Sequence, residues 1–189
     1  MTARPYLIGI AGPTGSGKTL LSEALRKELI DATILRADEY RRGEDLSPDA
    51  IDHERLCRDL AALARGEVIR PPGASSDVHP HTFVIVEGLH LFHSDAIREI
   101  LGLRVFVHAD HSVCETRWIA RLAREGEATR YENEVKPVCD QFVAPAIAFA
   151  DVVFDGAKFL ERNIRRLGSL IKEYRDSGWG QARTEPVRR

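Results

Sequence analysis

The chain has 189 residues, with 27 Lys and Arg set against 29 Asp and Glu, a formal charge of −2, and 43% apolar residues. That length holds one α/β domain with a full core and is too short for two ordinary ones, while the near-neutral balance excludes a general pull toward nucleic acid, so any anion binding must come from a local arrangement. Cys57, Cys114 and Cys139 follow neither a disulfide-framework nor a metal-site spacing, no secretory leader is read ahead of Pro5, and the longest apolar runs fall well short of the roughly 20 residues of a membrane span. The expectation is a soluble cytoplasmic protein with a small-molecule partner and no nucleic-acid or membrane partner; a homo-oligomer is compatible with these features.

Tyr6 to Ala11 reads as a short buried strand. It runs into Gly12-Pro13-Thr14-Gly15-Ser16-Gly17-Lys18-Thr19, which matches the phosphate-binding pattern G-x-x-x-x-G-K-[ST] at every position. Glycines at 12, 15 and 17 permit a tight turn whose amides form a nest for an anion. A helix beginning near Lys18, with Leu21, Ala24, Leu25 and Leu29 on its apolar face, adds its positive end. Residues 12–20, Leu20 included, are therefore the candidate nucleotide-binding segment. Lys18 is placed to reach the β- and γ-phosphates, and the Thr19 hydroxyl to occupy one position on Mg²⁺.

Ala32 to Ala37 reads as a second strand leading into Asp38-Glu39-Tyr40. Ligands of open parallel sheets sit beyond the carboxyl ends of the strands, so Asp38 is expected to face the same crevice as the glycine loop. A polar loop over 41–50, an amphipathic helix carrying Leu56, Leu60 and Leu63 and ending at Gly66, and a structureless connector over 71–77 follow. Thr82 to Gly88 has the apolar run of a central parallel strand and places Glu87 at the active edge.

A helix from Ser94 to Leu101 and a strand from Arg104 to His108 come next. The helix capped by Asp110 or Ser112 places Arg117, Arg121 and Arg124 on one face, a candidate cationic lid. Tyr131, Val135, Val138 and Phe142 step at helical spacing, with Pro137 and Pro145 inside the segment. Asp151 to Phe154 reads as the last strand, and Leu160, Ile164, Leu167, Ile171 and Tyr174 as a closing helix. Residues 1–177 are read as one domain and 178–189 as a polar, frayed tail. The close histidine pairs 79/81, 90/93 and 108/111 lack the helical spacing and third ligand of a zinc site.

Taken together, these residues resemble the phosphoribulokinase and uridine kinase family of P-loop kinases up to about residue 175. The resemblance rests on the glycine loop, Asp38-Glu39-Tyr40, the segment Ser47-Pro48-Asp49-Ala50-Ile51-Asp52, Val86-Glu87-Gly88, the arginine-bearing segment 117–126, and Lys136-Pro137 with Pro145 and Ala150-Asp151. It implies an α/β P-loop nucleoside triphosphate hydrolase fold, with a five-stranded parallel sheet flanked by helices and a helical arginine lid. The implied activity is transfer of the γ-phosphoryl group of ATP, with Mg²⁺, to a hydroxyl of a nucleoside or similar metabolite. Three departures stand out. The connector 71–81 has neither the tyrosine nor the arginine of the family's pyrimidine hairpin. Leu46 stands where the family has a sugar-binding aspartate, leaving Asp45 or Asp49 as substitutes. Trp118 and Glu127 replace lid arginines.

The roles expected on chemical grounds follow from phosphoryl transfer being a matter of positioning and charge neutralisation. Lys18, Arg117, Arg121 and Arg124 neutralise phosphate oxygens, the alternative for the arginines being a solvated face. Asp38 orients and deprotonates the acceptor and lies near the metal, or else is a turn acid. Glu87 holds Mg²⁺ through water, or is a strand-end acid. Tyr40 packs on the acceptor or belongs to the core. A competing reading is ATP hydrolysis without a metabolite acceptor. The markers of a guanine-specific switch are absent, since no lysine is followed two residues later by aspartate.

Overall fold

The computed structural model describes residues 4–124, 126–158 and 161–178. Five parallel strands form one sheet in the order β2-β3-β1-β4-β5: β1 Tyr6–Ala11, β2 Ala32–Arg36, β3 Phe83–Glu87, β4 Leu103–His108 and β5 Val152–Asp155. Every residue of β1 and β3 is buried, as expected of central strands covered by helices on both faces, and this is why they read as unbroken apolar runs. Edge strands β2 and β5 are only partly covered.

Alternation along each strand divides the core in two. Leu7, Val84, Val86 and Phe106 pack on one face with α2 (His53–Ala64) and α3 (Asp95–Ile100). Ile8, Ile10, Ile85, Val105 and Val107 pack on the other with α1 (Lys18–Leu29) and the closing helix α5 (Glu161–Asp176). Register fixes the functional edge. Arg36 of β2 lies opposite Glu87 of β3, and Glu87 opposite Ile10 of β1, so the strand-end charges reach the edge from which the glycine loop leaves β1. Among the described residues no helix is long and apolar enough to cross a membrane. Of the expected tail 178–189, all but Gly178 lie outside the described residues.

Two local readings need correction. The connector over 71–77 is not structureless: Ile69 and Val78 pair through two backbone hydrogen bonds of 3.1 and 2.8 Å, Arg70 pairs with Asp77 at 2.7 Å, and the Gly73 N–H donates to the Glu39 carbonyl at 3.1 Å. The loop is thereby closed on itself and docked beside the turn that follows β2. In the helical segment 127–149 the buried stripe is Tyr131, Val135, Cys139 and Val143, with Val138 and Phe142 only half-buried. A strict four-residue step outruns the 3.6-residue α-turn, and wider π turns at Tyr131–Val135 and Cys139–Val143 keep the stripe facing inward.

Candidate active site

The glycine loop takes the shape its composition demands. Gly12 has φ 146° and Gly15 φ 83°; a Cβ at either would come within 2.3 Å of the Val107 carbonyl or 2.4 Å of the Cys114 carbonyl. Only glycine meets both the backbone angle and the contact. Gly17, in the left-handed region, caps α1, so the first amides of that helix open into the loop. The Lys18 ammonium curls back and donates to the Pro13 carbonyl at 2.9 Å. Burial pushes its pKa below the ordinary lysine value, while Glu87 leads the groups that pull it back up. Ser16 Oγ is buried with no hydrogen-bond partner among the described residues. A glycine nest, a half-buried cation and an orphaned hydroxyl suit a polyphosphate.

Next to the loop stands the acid of β3. Thr19 Oγ1 donates to Glu87 Oε2 at 2.9 Å, and Arg36 Nε lies 3.4 Å from Glu87 Oε1. Glu87 is buried, and these two partners satisfy both of its oxygens. Threonine hydroxyl and carboxylate offer the hard oxygen pair that magnesium takes. Asp38 lies on the short 3₁₀ turn Ala37–Tyr40, with a side chain 70% exposed and held by Arg41 at 3.3 Å. Asp38, Glu87, Lys18 and Thr19 line one cleft of about 520 Å³.

The arginines divide. Arg117, on α4 (His111–Leu122), donates from Nη1 to the carbonyls of Gly15 and Ser16 at 3.2 Å each, bracing the glycine loop. Arg121 lies with its guanidinium 5.2 Å from the Trp118 ring and also lines the cleft. Arg124 does not share that face: Ala123 adopts φ 48° and ends α4 after Leu122, so Arg124 falls outside the cleft lining. Tyr40 takes the core alternative, being 1% exposed with its hydroxyl donating to Asp59 Oδ2 at 2.8 Å. Asp45 braces its own loop, accepting from the Ser47 hydroxyl at 2.6 Å and, through its carbonyl, from Arg41 at 2.6 Å. Neither Asp45 nor Asp49 lines the cleft.

The cleft has further lining residues, of which the sequence marks only Leu46 and Trp118, as departures from the family. Arg36, Arg41, Glu44, Leu46, Leu89 and Trp118 all reach it. Arg36 was the most legible of these, because it ends β2 as Glu87 ends β3 and parallel register sets the two side by side. Trp118 and Glu127, separate departures in sequence, prove to be a pair: the indole Nε1–H donates to Glu127 Oε2 at 2.9 Å in a buried setting. Of the histidines, His81 meets Asp31 at 2.7 Å, His111 meets Asp140 at 2.8 Å, and His90 Nε2 lies 2.7 Å from the Leu46 carbonyl.

The model of the phosphoribulokinase / uridine kinase family matches residues 36–160. A uridine kinase of Clostridium perfringens is 30% identical over 183 aligned positions, covering 79% of this chain and 86% of the relative. A uridine kinase of Brevibacillus brevis is 30% identical over 203 aligned positions, covering 89% and 95%. Among solved structures, a possible uridine kinase from Bacillus stearothermophilus superposes with TM-score 0.53 at 20% identity, covering 82% of this chain and 91% of that one. The shikimate kinase of Acinetobacter baumannii gives 0.52 at 16%, covering 92% and 94%. These two likenesses are of fold, the parallel sheet with its flanking helices. With the family model and the curated relatives in agreement over the segment that carries Glu87 and the arginine helix, the chain belongs to the phosphoribulokinase / uridine kinase family of P-loop kinases.

Proposed function

We propose that this kinase transfers the γ-phosphoryl group of Mg-ATP to a hydroxyl of a nucleoside or similar hydroxylated metabolite. The observation that carries the reading is the convergence of Lys18, Thr19, Glu87, Asp38 and Arg121 on one cleft at the carboxyl edge of the sheet. The amides of residues 12–20, with Lys18, would hold the triphosphate; Thr19 and Glu87 would hold magnesium, with Asp38 beside them. Once bound, the metal-triphosphate supplies the electrophilic phosphorus and a leaving group of lowered charge.

The chain's own residues do the rest. Lys18, released from the Pro13 carbonyl, neutralises phosphate oxygens, and Arg121 brings a second cation from α4. Arg117 keeps the loop in its nest shape through two carbonyls. Asp38, oriented by Arg41, accepts the acceptor proton. A carboxylate is a weak base for an alcohol, so this transfer belongs late in the step, when the bond to phosphorus has made the hydroxyl acidic.

Measuring ADP release with and without an acceptor panel tests the reading. Acceptor-dependent release that Lys18→Ala abolishes supports it. Equal release with and without every acceptor would favour hydrolysis instead.

A further inference from the structure

We propose that the acceptor is an alcohol with an aliphatic or aryl hydrocarbon body, seated against an apolar wall built by Leu46, Leu89 and Trp118 at the acceptor end of the cleft. The inference rests on the kinase reading above and departs from its nucleoside acceptor. All three side chains line the cleft that holds Lys18, Asp38 and Glu87. They also belong to one apolar cluster, in which Leu46 and Leu89 pack against buried Trp118, Cys114 and Tyr131.

Two members of the wall are fixed by buried polar groups. His90, 3% exposed, holds the Leu46 carbonyl at 2.7 Å. Burial keeps its imidazole neutral, and because a carbonyl only accepts, Nε2 carries the hydrogen and donates, leaving Nδ1 buried without a partner among the described residues. Glu127, 6% exposed, accepts the Trp118 indole N–H at 2.9 Å, with Arg130 Nη1 3.9 Å from its other oxygen. Buried polar groups are costly unless paired; here both are spent on positioning Leu46 and Trp118.

Of the charged neighbours at this end, Arg41 and Arg36 are already engaged, while Arg121, 5.2 Å from the Trp118 ring, is assigned to phosphate. Arg41 donates to the Asp45 carbonyl at 2.6 Å and to Asp38 at 3.3 Å, while Arg36 holds Glu87 at 3.4 Å and Glu23 at 3.2 Å. Glu44 stands exposed at the rim. A ribose-like diol turned toward the wall would meet carbon where it needs hydrogen bonds, which weakens binding and turnover by about ten-fold or more. An alcohol whose reactive hydroxyl reaches Asp38 while its apolar body covers Leu46, Leu89 and Trp118 meets no such penalty.

The test measures kcat/KM for ADP release by the full chain with Mg-ATP and two acceptor sets. One is uridine, cytidine, ribose and glycerate; the other is benzyl alcohol, 2-phenylethanol and 3-methylbut-2-en-1-ol. The best hydrocarbon alcohol is expected to exceed the best polyol by at least about ten-fold, Leu46→Asp to remove that preference, and Leu46→Ile to retain it. A polyol used equally well or better overturns the proposal. So does a preference unmoved in a Leu46→Asp protein that still binds Mg-ATP, or no response to the hydrocarbon set while wild-type Mg-ATP binding is intact. Failure of the kinase reading looks different: ADP release equal in the presence and absence of every acceptor.

Discussion

Thr19 Oγ1 and Glu87 Oε2 lie 2.9 Å apart although 68 residues separate them in the chain. The hydroxyl begins α1 and the carboxylate ends β3, and parallel pairing of β3 with β1 makes the contact. A metal held by these two oxygens, as proposed above, would depend on sheet register as well as on the glycine loop. Replacing Glu87 with Gln preserves the threonine contact while removing the charge. We expect Glu87→Gln to keep the fold and raise the magnesium concentration needed for half-maximal turnover by at least about ten-fold. A magnesium titration at fixed ATP checks this; an unchanged midpoint would make Glu87 a strand-end acid held by Arg36.

Asp38 and Lys18 are separable. Lys18→Ala should remove Mg-ATP turnover, since it deletes the cation of the nest. Asp38→Asn should bind ATP as before and lose about 10²- to 10⁴-fold in acceptor-dependent turnover, the range for a positioned proton acceptor. Full transfer by Asp38→Asn would refute the assignment.

The end of α4 at Ala123 distinguishes the arginines. Arg121→Ala should lower turnover by about 10³-fold, the lower end for a transition-state arginine in other P-loop enzymes, with little change in ATP binding. Arg124→Ala should stay within about two-fold of the parent, because Arg124 lies beyond the helix that carries the other two. Equal losses for both variants would show that α4 extends when the cleft is filled.

Tyr40→Phe should cost stability and spare activity. It removes the buried bond to Asp59, which retains Arg55 at 3.0 Å, so a loss of about 1–2 kcal/mol is expected in urea unfolding, with kcat and KM unchanged. A rise in acceptor KM at normal stability would return Tyr40 to the site.

His90 provides a pH signature. Burial pushes its pKa down to about 4, and His53, His93 and Arg41 add to the effect. In the unfolded chain the value is about 6.5, so between these limits the unfolded state binds more protons and folding loses free energy as pH falls. The contribution is fully present above about pH 6.5 and has gone below about pH 4, a change on the order of 3 kcal/mol. His90→Gln, which keeps a donor for Leu46, should show a shallower loss of stability between pH 7 and 4.5. Identical pH profiles would count against a neutral buried imidazole.

The glycine turn, the five strands and the acids at their ends could all be read from the chain alone. The signals are local: a glycine spacing that permits only one kind of turn, apolar runs too short for helices, and charges placed where such runs stop. Edge positions such as Asp38 and Glu87 follow from strand direction, since all five strands point the same way. Pairings across the fold were another matter. Trp118 with Glu127, Leu46 with His90 and Tyr40 with Asp59 depend on which side of a helix or turn is covered, as did the exclusion of Arg124 by a single residue at φ 48°. Local pattern decides how a segment folds and which edge it reaches; only packing decides which polar groups lose water together, and buried groups that lose water must find each other.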